Sequence, residues 1–324
     1  NNYLVSILKT VPKETMFNKD YPYKSSESVT MKKSFKDFAK KIINRFKPNF
    51  VIEIGSNDGA FIKNFNKKSV VGVDPCRNLA QITKKKGYTT YSEYWSPKLS
   101  QKITKNKKAD LIYSANTLSH IKNFNEIFKS INNALSEKGV LIIEDPSLLK
   151  CLQNLAYDQF YCEHIYVFST LALREVLKSF KLEIFDVENT KTHGGSNRYY
   201  IKKNTNSLYK INNRVNAEIK KELQFGLNKF STYQKFAKNV KISKSKLLKI
   251  FSSLNKKKLR IIGYGATAKS CTVLNYCGLG KSDIKYFYDT TSYKVNKYLP
   301  GSKILIKKYK KLDNKEIDVA FLGA

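Results

Sequence analysis

Apolar positions along this chain recur in two periods, and the alternation between them predicts its elements. Between about Thr30 and Phe46, the residues Phe35, Phe38, Ile42 and Phe46 are spaced by three and four. That spacing predicts an amphipathic helix. Residues 49–54 (NFVIEI) predict a buried strand running into GSNDG at 55–59. A helix is expected to begin at 60–65, and further strands at 69–74, 88–94, 109–116 and 140–146. Helices are expected at 78–86 and 124–139, the second stopped by Gly139. Such βαβ alternation predicts a parallel sheet between helices. Residues 182–190 and 196–203 predict two antiparallel strands at its end. The stretch 205–255 changes character: it is rich in Lys, Asn and Ser, with Leu208, Ile211, Val215, Ile219, Leu223, Leu227 and Phe230 at helical spacing. It predicts a helical connector. A second α/β pattern starts at 258–270 and continues through 284–301, 304–306 and 316–324. The expected division is 1–45 as an N-terminal segment and lead-in helix, 46–204 as the main α/β domain, 205–255 as the connector, and 256–324 as a smaller, truncated Rossmann-like domain.

Composition narrows the classes. With 324 residues and 41% hydrophobic positions, the chain can bury two cores and is not wholly disordered. Sixty Lys+Arg against 26 Asp+Glu give a formal charge of +34, which invites a polyanionic partner. The excess is mostly lysine spread along the whole chain, and no RRM, KH or zinc-finger pattern accompanies it. Nucleic acid is therefore not the expected partner, although the charge admits it. Cys76, Cys151, Cys162, Cys271 and Cys277 contain no CxxC pair, so no zinc or thioredoxin-like site is expected. Their odd count and wide spacing suit a reducing, cytoplasmic setting. No apolar run is long enough to span a membrane, and the start lacks the pattern of a signal peptide. The chain does not begin with Met and stops at VAFLGA, as a truncated product would. Oligomeric state is not legible.

The first glycine loop carries chemistry. Gly55 and Gly59 follow a hydrophobic strand, where glycine permits a tight turn and close backbone approach to a ligand. The spacing is not GxGxxG, and Glu53 and Asp58 would repel a pyrophosphate. A ligand with an ammonium or sulfonium group suits these acids better. Asp74 ends the next strand 19 residues after Gly55 and could accept hydrogen bonds from ribose hydroxyls. The plain structural alternative makes Asp58 a helix cap and Asp74 a loop cap. With GVDP and GVLIIEDP further on, the run resembles class I S-adenosylmethionine-dependent methyltransferases. That resemblance implies a cofactor loop of Glu53, Gly55, Ser56, Asn57 and Gly59, with Asp74 on the ribose. Pro75 and Cys76 would border the adenine, and Asn116, with Ala115 and Thr117, would lie below the methionine.

The segment 157–169 (YDQFYCEHIYVFS) is the densest in chemistry. It holds His164, one of only three histidines, with His120 and His193. A histidine can abstract a proton near neutral pH, and tyrosines can donate to a developing oxyanion. A lone loop histidine is more often a hydrogen-bonded structural residue, but this cluster is harder to dismiss. No HExxH pattern exists, and no metal is expected. Five motifs occur in order: YPYKSSES (21–28), EIGSNDG (53–59), QFYCEHIYVFS (159–169), THGGSNRYY (192–200) and GYGATAKS (263–270). Together they resemble the sugar C-methyltransferases, which act on nucleotide-linked 4-keto deoxysugars. The resemblance implies His164 as the base, with Glu163 orienting it or contacting substrate. Tyr161 and His120 would steady the enolate oxygen, and Tyr23 would approach the sugar. His193 would sit nearby, with Asn197 and Arg198 contacting substrate directly or through a neighbour.

Three features depart from that family's pattern. No cysteine cluster precedes the YPY segment, Cys162 stands in place of His, and Ser270 stands in place of Gly. The second loop, G-x-G-x-x-A from Gly263, would alone suggest a dinucleotide. The resemblance instead implies a hold on the substrate's nucleotide diphosphate, through Gly263, Gly265 and Lys269, with Asp289 a weaker candidate for a ribose. The active cleft would then lie between the two α/β domains. An O- or N-methyltransferase on a sugar, an RNA methyltransferase and a non-catalytic binding protein keeping the fold are the alternatives.

Overall fold

The computed structural model describes residues 3–311 and 317–323. It divides the chain into two compact units: Asn1–Cys151 with Cys162–Asn228, and Leu152–Tyr161 with Lys229–Ala324.

The first unit is built on seven strands: β1 (Val51–Ile54), β2 (Val70–Val73), β3 (Thr89–Tyr91), β4 (Ala109–Ala115), β5 (Leu135–Pro146), β6 (Leu182–Thr190) and β7 (Ser196–Lys203). Their order is β3-β2-β1-β4-β5-β7-β6. All neighbouring pairs are parallel except those of β7, which runs antiparallel to both β5 and β6. This is the class I methyltransferase fold that the sequence implies. The order reverses direction beside β1, and the loops after β1 and β4 open there, where doubly wound sheets bind ligands.

Helix α1 (Val29–Phe46) forms as the periodicity predicts. Ser28 caps its start, accepting from the Met31 amide, and Lys47 ends it in a left-handed turn. Its buried face, Met31, Phe35, Phe38, Ala39 and Ile42, packs with Val51, Leu111 and Ile142 on one side of the sheet. Helices α2 (Arg77–Lys85) and α3 (Pro97–Ile103) follow β2 and β3, and the opposite side packs against α4 (Phe124–Ala134) and α5 (Thr170–Lys178). Two expected helices come out differently. The turn after Gly59 makes only a single 3-10 turn, Ile62–Asn64. The Asn64 side chain donates to the Ala60 and Phe61 carbonyls and so competes with helical bonding. Helix α4 stops at Ala134, short of Gly139, because Leu135 turns extended and pairs with Ala109.

The stretch 205–255 holds two helices that belong to different units. α6 (Asn213–Phe225) lies in the first unit, where Val215 and Ile219 join the main core. Its Glu222 carboxylate accepts from the Thr170 and Leu171 amides at 2.7 and 2.8 Å, capping α5. α7 (Phe230–Lys256) belongs to the second unit.

The second unit carries strands β8 (Ile261–Tyr264), β9 (Phe287–Asp289), β10 (Ile306–Lys308) and β11 (Val319–Leu322), in the order β10-β9-β8-β11. All are parallel. Helix α8 (Ala268–Cys277) follows the glycine loop and starts with a capping box between Thr267 and Ser270. Of the expected element 316–324, Glu316 and Ala324 lie outside the described residues.

Candidate active site

The loop after β1 is pinned from three directions. The Gly55 and Ser56 amides donate to the Val73 carbonyl at 2.8 and 3.1 Å. The Asn57 amide donates to Asp74 Oδ2 at 2.7 Å, and Asp74 Oδ1 accepts from the Cys76 amide at 2.9 Å. Gly55 has φ +78°, and a Cβ there would stand 2.1 Å from Thr117 Oγ1. Only glycine fits this close approach. Asn57 and Asn116 both adopt φ +49°, and the Asn116 amide donates to the Glu144 carbonyl at 2.7 Å.

The acids here are desolvated. Glu53 is buried with Oε2 lacking a protein partner. Burial first, and the nearby Asp74 second, push its carboxyl well above the usual range. Burial likewise pushes Asp74 up to about 6, against the two amides that stabilise the carboxylate. Two buried acids beside a glycine cradle, one with an unfilled oxygen, fit a cationic sulfonium ligand that carries ribose hydroxyls.

The N-terminal segment is strapped onto this loop. The Ser25 amide donates to Asn57 Oδ1 at 2.9 Å, and Asn57 Nδ2 donates to the Tyr23 carbonyl at 3.1 Å. Both the amide and the hydroxyl of Ser26 donate to Asp58. Asp58 therefore holds the strap and does not cap a helix. Tyr21 reaches Glu163: its hydroxyl donates to Oε2 at 3.0 Å. Burial raises the Glu163 carboxyl, and this hydroxyl opposes the rise. Farther back, Val5 and Ser6 pair with Val167 and Tyr166.

His164 is buried, and its ring stacks on that of His120 at 5.2 Å and 22°. Phe17 stacks on His120 at 5.7 Å. His120 Nε2 has no protein partner, and desolvation, then His164, holds its pKa well below the usual histidine value. Two sequence-distant turns thus bring His120, His164 and Glu163 together.

Tyr23 is 43% exposed as a residue, yet burial of its hydroxyl raises its pKa, and a bond with Ser25 opposes the rise. Arg198 faces α1: it pairs with Glu144 at 2.6 Å and lies 3.9 Å over the Phe38 ring. Asn197 is buried between Asn189 and Tyr199. Both are thus spent on protein partners. His193 sits in the turn Thr192–Gly194 with φ +51°. Tyr161 falls in the segment Leu152–Tyr161 of the second unit, and Cys162 is exposed. Pro75 lies between Asp74 and the buried Cys76.

In the second unit, Gly263 lies on β8, where a Cβ would meet the Phe287 ring at 2.3 Å. Gly265 follows with φ +86°, and Lys269 lies in the first turn of α8. Asp289 is already engaged: it accepts from the Ala266 and Thr291 amides at 2.9 and 2.8 Å, and Lys294 Nζ stands 3.3 Å away. Ser270, the residue standing for glycine, donates to the Gly265 and Gly323 carbonyls at 2.6 Å each, closing the loop on itself.

Sequence reading missed Tyr21, Phe17, Ser119, Glu144 and Asp145. Tyr21 and Asp145 sit inside the YPY and EDP motifs, but only the fold shows what they touch. Among the described residues no group of three or more His, Cys, Asp or Glu is placed to hold a metal.

Buried acids give a pH signature. Asp74, Glu222 and Asp145 are raised to about 6, 7 and 8, each mainly by burial. Unfolded, they titrate near 4. The folded state therefore binds more protons between about pH 4 and 8, and stability falls as pH rises through that window. The melting temperature without cofactor should be higher at pH 5.5 than at pH 8.5 by about 5 °C or more. A flat or rising profile in scanning calorimetry would show that these carboxyls are solvated.

Residues 26–187 match the family described as a methyltransferase domain, and residues 191–323 that described as a C-methyltransferase C-terminal domain. C-methyltransferase NovU of Streptomyces niveus is 30% identical over 261 residues, which cover 80% of this chain and 62% of that protein. The matched region thus spans less than two thirds of the curated relative's length. Among solved structures, a S-adenosylmethionine-dependent methyltransferase from Clostridium acetobutylicum matches 52% of this chain and 91% of its own, at 18% identity and a TM-score of 0.41. The magnesium protoporphyrin IX methyltransferase of Synechocystis matches 53% and 83%, at 13% identity and a TM-score of 0.41.

Proposed function

The chain belongs to the methyltransferase family matched over residues 26–187, which takes S-adenosyl-L-methionine as cofactor; from that premise we propose that it methylates a carbon of a nucleotide-linked 4-keto deoxysugar. The observation that carries this reading is the buried His164, stacked on His120 and following a Glu163 held by Tyr21. O- or N-methylation needs no strong base at carbon, whereas a carbon acid beside a ketone does. The match of residues 191–323 to a C-methyltransferase domain and the likeness to NovU support it.

The division of labour follows from the residues. S-adenosylmethionine supplies an electrophilic methyl group. Gly55, Ser56, Asn57 and Gly59 shape its loop, Asp74 receives the ribose, and Glu53 favours the cationic end. Pro75 and Asn116 flank it. His164 takes the proton from the carbon next to the ketone, leaving an enolate whose carbon accepts the methyl. Glu163 orients the base. His120, held neutral, can donate a hydrogen bond to the enolate oxygen, and Tyr161, Tyr23 and His193 contact the sugar. Asn197 and Arg198 support from behind. Gly263, Gly265 and Lys269 are assigned to the nucleotide diphosphate. No described helix is long and apolar enough to cross a membrane. Free cysteines and a nucleotide-sugar substrate suit a cytoplasmic reaction.

The test is mass spectrometry of a panel of nucleotide-linked 4-keto deoxysugars with enzyme and cofactor in deuterated water. The expected product is heavier by one methyl group. Deuterium should also enter next to the ketone without cofactor. Methylation confined to oxygen, with no exchange, would overturn the reading.

A further inference from the structure

Two carboxyl side chains stand side by side at the C-terminal end of β5, and the chemistry described above uses neither. Strand alternation sends Glu144 and Asp145 to opposite faces of the sheet. Both are 1% exposed, so each depends on protein partners.

Glu144 Oε1 accepts from Thr192 Oγ1 at 3.0 Å. Its Oε2 accepts from Arg198 Nε at 2.6 Å and from the Tyr113 hydroxyl at 3.1 Å. Thr192 opens the turn that carries His193. There His193 holds φ +51° and ψ 31°, in the left-handed region that residues other than glycine adopt uncommonly. Asp145 Oδ1 accepts from Ser119 Oγ at 2.5 Å. Ser119 lies in the turn Leu118–His120, directly before the ring that stacks on His164. Each acid therefore grips one histidine-bearing turn.

We propose that Glu144 and Asp145 are positioning residues: Glu144 fixes the His193 turn through Thr192, and Asp145 fixes the His120 turn, and with it the His164 stack, through Ser119. The two grips differ in kind. Glu144 is ion-paired with Arg198. Among the described residues no cation pairs with Asp145, and burial pushes its carboxyl up to about 8 against the Ser119 bond. Its Oδ1 only accepts from Ser119, so the oxygen of an amide can take its place.

Three histidines in the whole chain make the test direct. Imidazole NMR resonances are compared in the full-length protein and in S119A, D145N, D145L and T192V. S119A and D145L should shift His120 and His164 and leave His193 in place. T192V should shift His193 alone. D145N should leave all three where they are. These readouts require no substrate. The kinetic arm rests on the C-methylation reading: S119A should lower kcat about tenfold with the KM values within about twofold. Selective shifts without a kinetic change would count against that reading and leave the positioning intact. Folded S119A and D145L with His120 and His164 unmoved, or all three histidines moving alike in every variant, would overturn the proposal. Should D145L not fold, S119A and T192V, which each delete one hydroxyl, still decide.

Discussion

His164→Asn is expected to slow methyl transfer by about a thousandfold while cofactor affinity stays within about twofold. General-base contributions run from about 10² to 10⁴. This one should sit in the middle, because the site leaves water little room to substitute: the His164 ring is 5% exposed and stacked on His120. Cofactor affinity should hold because the loop after β1 is pinned by bonds to Val73, Asp74 and the strap at Tyr23, Ser25 and Ser26. Isothermal titration with the cofactor and single-turnover methyl transfer separate the two effects. Deuterium uptake next to the ketone gives a third readout and should fall in step with transfer. A variant that still exchanges at the wild-type rate would move the base elsewhere in the site.

Gly55→Ala should damage both stability and cofactor binding. Its methyl would meet Thr117 Oγ1 at 2.1 Å on a backbone at φ +78°. The loop cannot slide away, since the Gly55 and Ser56 amides hold the end of β2 and Asn57 holds Asp74. Left-handed strain costs about 1–3 kcal/mol, and overpacking about as much again. For a unit of this size the melting temperature should fall by about 5–15 °C, and cofactor binding should be lost. Gly55→Ala combined with Thr117→Ala should regain roughly half of the stability, because the clash is relieved and the backbone strain is not. Full recovery would mean that strain at φ +78° is negligible. No recovery would mean that the clash with Thr117 is not the cause.

The cofactor half of the candidate site, as proposed, was readable from sequence because it is local. A strand, a glycine turn and an acid at the end of the next strand follow one another within 53–74, so spacing alone brings them together. The base half was readable as residue types but not as an arrangement. Nothing in the spacing of His120 and His164 says that their rings stack. That contact exists because the turn after β4 and the segment after residue 161 meet at the same rim of the sheet. Arg198 shows the opposite case: a cation in a suggestive motif that strand alternation turns toward Phe38 and Glu144.

Local sequence is enough to set the alternation of strands and helices, the fold class, the glycine loops and the acid at the end of β2. These are consequences of apolar period and backbone permissiveness, and both are written in neighbouring residues. Tertiary structure alone decided where helix α4 ends, which unit each helix of 205–255 joins, and how Tyr21 comes to hold Glu163. It also decided that Asp289 is spent on its own loop and that Glu144 and Asp145 grip different turns. Those outcomes depend on which buried donors and acceptors find each other across tens of residues. Desolvation makes that pairing compulsory, and no local pattern encodes it.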